Sequence, residues 1–218
     1  MNAYKNPEGE LAEKAVKAFL ESSECEVIPY GIEHTLKEVV KLGAAVYRKL
    51  QLEKVITSAP DFFVLTPRNS SYRLLEVKYR KCWTDYVRTE LKEILEPQVR
   101  WWPRVNVLIA IRSPIGTAGV PESHVRVAEL FCEACKLSVH VRSPEATKEW
   151  DAVEWQDLTP LQALFPGFCR GEAGRNRMGQ LVEAIRKIPD ESLDKRSIKK
   201  LWNKDRAKKS TGVRDSTT

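Results

Sequence analysis

The sequence predicts an α/β fold, a mixed central sheet of four to five strands flanked by helices, on three observations. Amphipathic helical patterns alternate along the chain with short apolar runs. One run, VNVLIAIR at 105–112, is almost continuously apolar, as a strand covered on both faces must be. Two further β-rich runs, PDFFVL and YRLLEVKYR, flank the turn-forming PRNSS and read as a hairpin.

The elements follow in order. Residues 8–22 place Leu11, Ala12, Ala15, Val16, Phe19 and Leu20 at helical spacing, with Glu10, Glu13, Lys14 and Lys17 on the other side. CEVIPY is a short strand that Gly31 breaks, and residues 35–53 form a second helix that Thr35 can cap. After the hairpin, residues 84–100 are helical, with Tyr86, Val87, Leu91, Ile94 and Leu95 on one side, until Pro97 and the Trp-Trp-Pro that follows disturb the pattern. The segment HVRVAELFCEACK then has the spacing of an amphipathic helix, and LSVHVRS that of a strand. Residues 144–168, with their Pro and Trp, form an irregular closing segment, and residues 175–188 a short helix.

With 218 residues, 42% of them hydrophobic, the chain can bury a core, so disordered and disulfide-stapled classes are excluded. The start is polar, no apolar run approaches the roughly 18 residues of a membrane span, and five cysteines make an odd count. Free thiols and an intracellular location, cytoplasmic or nuclear, with no membrane partner, are therefore expected. The net charge of +6 is unevenly placed: basic and acidic side chains balance over residues 1–170, so the excess lies in 171–218. That division suggests a catalytic or binding domain at 1–170, followed by a short helix and a basic, flexible tail at 171–218. Lys199 and Lys200 in the tail are candidates for contacts to a phosphate backbone.

The chemistry concentrates around the hairpin. Pro60-Asp61 is followed by Glu76-Val77-Lys78, and because residues two apart on a strand share a face, the Glu76 carboxylate and the Lys78 ammonium are neighbours. A hairpin symmetric about Arg68 and Asn69 sets Asp61 opposite Glu76. Two carboxylates so placed repel unless a cation joins them. Mg²⁺ suits such a pair because it takes one or two carboxylates, plus waters and substrate phosphate oxygens. The carbonyl of Val77 could add a further oxygen. Lys78 is then placed to orient or deprotonate an attacking water or to neutralise charge at phosphorus.

The motifs APDFFVL and LLEVKYRK, preceded by a Glu-bearing helix and followed by a helix and a strand, resemble the PD-(D/E)XK nuclease superfamily, which includes restriction endonucleases and Holliday-junction resolvases. An E-x-K alone arises by chance roughly 0.8 times in a chain of this length, whereas Pro-Asp upstream together with strand patterning around both lowers the chance to about 1%. The resemblance covers roughly residues 8–142. It implies a restriction-endonuclease-like core, Mg²⁺-dependent phosphodiester hydrolysis (with Mn²⁺ as an alternative ion), metal ligands at Asp61 and Glu76, and Lys78 as the catalytic lysine. It also implies a further acid from the first helix, matched best by Glu13 with Glu10 as the alternative, and a polar residue on the helix after the lysine strand, matched by Gln98. Arg80 and Lys81 extend the positive surface and are candidates for nucleic-acid contacts.

The functional expectation is thus a nuclease acting on DNA, and the alternative is a non-catalytic nucleic-acid-binding or scaffold protein with the same fold. Cutting two strands with one site per chain often takes two chains, so a homodimer is a candidate assembly. Cys132-x-x-Cys135 would share a helix face, but zinc needs four ligands and no second pair exists. Phosphate-binding loops, dinucleotide fingerprints and serine-hydrolase elbows are absent from the sequence.

Overall fold

The computed structural model describes residues 7–31, 34, 58–67, 71–103, 105–113, 124–133, 136–140, 146–165 and 171–189. The helix expected at 35–53, Cys135 and the basic tail with Lys199 and Lys200 lie outside the described residues. A first compact unit spans Met1–Ile188 and a second Pro189–Thr218. Among the described residues no helix is long and apolar enough to cross a membrane.

The first helix, α1, runs Pro7–Ser22 and buries Ala12, Val16, Phe19 and Leu20. It ends through Glu24, whose φ of 65° lies in the left-handed region, and the chain turns there into strand β1, Glu26–Pro29. β2 (Phe62–Leu65) pairs antiparallel with β1, and β3 (Tyr72–Arg80) antiparallel with β2. Thr66 closes the hairpin, its backbone and hydroxyl both bonded to Ser71. Helix α2 (Asp85–Trp101) opens on Thr84, whose hydroxyl accepts from the Val87 N–H at 3.3 Å. It carries the chain over to β4 (Asn106–Ile111), which lies parallel to β3.

β5 (Val125–Glu133), β6 (Lys136–His140) and β7 (Thr147–Glu149) continue the sheet antiparallel, and a two-residue β8 (Thr159–Pro160) also pairs with β5. Two short 3₁₀ turns, Trp150–Ala152 and Trp155–Asp157, the short helix α3 (Leu161–Leu164) and helix α4 (Gly171–Arg186) complete the described chain. Among the described residues the sheet order is β1-β2-β3-β4-β5-β6-β7, eight strands with β8.

Helices cover both faces. On one, α1 and α4 pack Ala12, Val16, Met178 and Ile185 against Leu75, Val77, Leu108 and Val127. On the other, Leu91, Leu95 and Val99 of α2 join Val107, Ile109, Leu130 and three tryptophans, Trp83, Trp150 and Trp155.

The α/β class with a mixed, helix-flanked sheet is as expected, but several particulars differ. The sheet has eight strands rather than four to five. The segment expected as an amphipathic helix, HVRVAELFCEACK, contains strand β5 instead. Val125 and Val127 face the α1 side of the sheet while Ala128 and Leu130 face the α2 side, so a strand covered on both faces reproduces helical apolar spacing. Cys132 therefore sits on an exposed strand position opposite Leu137, with no helix face for it to share with Cys135. Pro97 does not end α2, which continues to Trp101 with the proline ring on its exposed side. Tyr86, expected on the packed side of α2, is exposed. Helix α4 belongs to the first compact unit, whose limit is Ile188 rather than residue 170.

Candidate active site

Register builds the site. Pro29 pairs with Phe62 and Phe62 with Leu75, so the next rung aligns Tyr30, Asp61 and Glu76 across three strands. Glu76 pairs onward with Val107 and Lys78 with Ile109 of β4. Because Leu75, Val77 and Tyr79 point into the α1 core, Glu76 and Lys78 are turned toward α2.

Asp61 is anchored from both sides. Its Oδ2 accepts the Val77 N–H at 2.7 Å, and its carbonyl accepts the Tyr30 N–H at 2.8 Å and the Gly31 N–H at 3.3 Å. Val77 thus meets Asp61 through its amide. Glu76 is buried, and both of its oxygens are engaged: Oε1 by the Lys78 ammonium, Oε2 by the Gln98 side-chain N–H at 2.7 Å. Gln98 reaches it from the last turn of α2, which is why the continuation of that helix past Pro97 matters. The Gln98 Oε1 is buried with no hydrogen-bond partner.

The electrostatics are those of crowded acids around one cation. Burial, the Glu76 carboxylate and the Glu13 carboxylate push the Asp61 pKa well above the usual aspartate value, against the opposing pull of Lys78 and the Val77 N–H. Burial pulls the Lys78 pKa down, but Glu76 and Asp61 outweigh it and hold the ammonium above its ordinary value. Lys78 is consequently a cation at neutral pH. Glu13 of α1 acts on Asp61 from the neighbouring layer, whereas Glu10 pairs with Lys14 at 2.9 Å on the more exposed side of α1.

Among the described residues no three His, Cys, Asp or Glu side chains converge as a metal-holding group. What the centre does offer is a carboxylate pair, a third acid acting at longer range, and an orphaned amide oxygen. Such a donor set suits a hard divalent ion that keeps most of its waters, rather than zinc with its closed set of N and S ligands. The Gln98 Oε1 is the observation that favours an additional guest, since a buried acceptor without a donor costs roughly 1–3 kcal/mol.

Arg80 and Lys81 are less available than the sequence suggests. The Arg80 guanidinium donates to Glu90 of α2 at 3.0 Å and to the Tyr79 carbonyl at 2.7 Å, and Lys81 is partly buried. His34 is exposed, and its N–H donates to the Gly31 carbonyl at 2.9 Å.

Two residues at the site had no signal in the sequence. Tyr30 lies on the Asp61 rung, and its ring meets Trp102, one helical turn beyond Gln98, edge to face with centroids 5.6 Å apart. The pairing of β1 with β2 that locates Tyr30 spans more than thirty intervening residues, so local pattern could not reveal it.

No protein-family model matches the chain, and no curated protein or solved structure matches it either.

Proposed function

We propose that this chain is a Mg²⁺-dependent nuclease with a restriction-endonuclease-like core, hydrolysing phosphodiester bonds of nucleic acid, with DNA as the substrate and Mn²⁺ as the alternative ion. The observation that carries the reading is the rung that sets Asp61 beside Glu76, with the Lys78 ammonium bonded to one and attracted by both. A module that only bound a polyanion would gain nothing from a pair of acids at that place, since they repel phosphate. The likeness of Pro60-Asp61 and Glu76-Val77-Lys78 to the PD-(D/E)XK motif points the same way.

Asp61 and Glu76 would hold the ion, with the Val77 carbonyl as a further oxygen and Glu13 contributing through a water. When bound, the ion would supply Lewis-acid polarisation of the phosphoryl group and raise the acidity of water. Gln98 fixes the Glu76 carboxylate in one orientation by donating to Oε2. Lys78, held as an ammonium, cannot accept a proton at neutral pH. Its part is to place the attacking water by donating to it and to offset negative charge as it grows on the phosphoryl oxygens.

The test is incubation of the full chain with labelled linear, branched and single-stranded DNA and with RNA, in Mg²⁺, Mn²⁺ or EDTA. Cleavage in Mg²⁺ that EDTA abolishes is expected, and Lys78→Ala should slow it roughly 10²–10³-fold, the usual loss on removing one charge-stabilising donor. Absence of cleavage by the wild type, or equal cleavage by Lys78→Ala, sinks the reading.

A further inference from the structure

The Asp61 rung carries a third side chain that neither metal chemistry nor core packing accounts for. Tyr30 stands next to Asp61 by register and is tied to it by the 2.8 Å backbone hydrogen bond. The residue is nevertheless 36% exposed, although the Trp102 ring lies against its own. Trp102 closes α2, the helix that brings Gln98 to Glu76, and the preceding Trp101 is half exposed at the same helix end. An aromatic surface is thus fixed from two sides, by the sheet rung through Tyr30 and by the catalytic helix through Trp102.

A buried tyrosine and tryptophan serve a core by area alone, but an edge-to-face pair left partly open presents a ring face to solvent. Beside a phosphate-directed centre, the ligand chemistry that fits a rigid aromatic face is a nucleobase, because every base has a π face and stacking tolerates any sequence. The bases of an intact duplex are stacked on one another and cannot occupy it. Tyr30 and Glu76 stand two strand spacings apart, about 10 Å, within reach of a nucleotide adjoining the one whose phosphate is attacked.

We infer that Tyr30 and Trp102 form a stacking wall for an unpaired base next to the scissile phosphate, so that the substrate is nucleic acid with a single-stranded segment at the cut. This rests on the nuclease reading for the position of the phosphate. The wall sets substrate structure, while Asp61, Glu76 and Lys78 perform the chemistry.

Binding separates the two ideas from each other. The full chain is titrated, in EDTA and in Ca²⁺, with a short oligonucleotide carrying 2-aminopurine, as a single strand and as a blunt duplex. Wild type should bind the single strand more tightly than the duplex and change the 2-aminopurine fluorescence by stacking. Tyr30→Leu keeps an apolar side chain but removes the π face, and should weaken single-strand binding about 10-fold or more with little change for duplex. Tyr30→Phe should bind like wild type, and unchanged circular dichroism melting of both variants would show the fold intact. If Tyr30→Leu binds the single strand as wild type does, or loses single strand and duplex alike, the stacking wall is refuted. Wild type that binds and cuts duplex but ignores single strands refutes the wall and leaves the nuclease reading standing, whereas wild type that binds neither form refutes both.

Discussion

Replacing Asp61 by Asn should make the protein more stable and inactive at once. The Asn amide keeps the shape of the side chain and an oxygen for the Val77 N–H now held at 2.7 Å. What disappears is a charge that burial, Glu76 and Glu13 all oppose. A carboxyl whose folded pKa is raised above the unfolded value of 3.8 contributes stability below that value and loses it as pH rises through the folded pKa. At neutral pH, therefore, the Asp61 carboxyl costs stability relative to acid conditions. Relief of one like-charge cross-strand pair is worth roughly 0.2–1 kcal/mol, and recovered desolvation adds to it, while the weaker hydrogen bond to Val77 subtracts.

A net gain of about 1 kcal/mol corresponds to a rise in Tm of about 2–4 °C for a unit of this size. Thermal unfolding in EDTA at neutral pH should show that rise, and the difference should shrink as the buffer is acidified and the wild-type carboxyl takes up its proton. Mg²⁺ at tenfold its Kd should stabilise the wild type by about 1.4 kcal/mol and Asp61→Asn by far less. An Asn variant that melts several degrees below wild type in EDTA would refute the reasoning, because Asp61 would then be a structural acceptor rather than a charge kept for function.

Two further outcomes rest on other parts of the molecule. His124 is buried with Nδ1 3.0 Å from the Ile111 carbonyl, while Nε2 accepts from Arg186 Nε at 3.1 Å and Nη2 at 3.0 Å, so the neutral ring carries its proton on Nδ1. Burial and Arg186 lower its pKa below 6.5; stability should be fully present above 6.5 and fall as pH drops through the depressed folded value, and His124→Gln should flatten that acid limb in urea titrations run from pH 7 to 5. Burial pushes the Cys25 thiol up to about 11, whereas Cys132 is exposed. At pH 8, mass mapping after treatment with a disulfide reagent should find Cys132 labelled quickly and Cys25 labelled only after denaturation; fast labelling of native Cys25 would contradict its burial.

How much of this was legible follows from the range over which each signal acts. The β2–β3 register could be read because few residues separate the two strands in sequence, and the observed pairing of Phe62 with Leu75 continues to Asp61 and Glu76 as expected. Strand β3 could be read because β-branched and aromatic residues bracket its charges. Strand β5 could not, since its Ala, Glu and Leu favour helix and both of its faces are covered. Gln98 lies beyond the point where Pro97 disturbs the helical pattern, and a proline rule acts on backbone alone. Leu95, Gln98 and Val99 are all buried around Pro97, and their packing offsets its missing N–H. Glu13, the better match of the two first-helix acids, is the one whose carboxylate acts on Asp61 once α1 is packed against the sheet.

The strands beyond the expected four to five have a physical task in this arrangement. Glu76 is oriented by Gln98 only if α2 keeps its place over the sheet, and a helix carrying an internal proline needs an external seat. The segment after β7 provides one. Trp150 is fully buried and donates its indole N–H to the Arg88 carbonyl at 2.8 Å, the Arg88 guanidinium donates to the Val153 carbonyl at 3.1 Å, and Lys92 pairs with Asp151. Trp83, just before α2, meets Trp150 edge to face and Trp155 at a tilt, with centroids 5.9 and 5.5 Å away. These contacts grip the first two turns of α2, while Gln98 and Trp102 occupy its far end, so the helix works as a lever held at its start and used at its tip. Strands β5 to β7 are what carry Trp150 to that position. On this account the C-terminal half of the sheet supplies no chemical group to the centre, yet it sets where the Glu76 carboxylate and the Tyr30–Trp102 wall stand relative to each other.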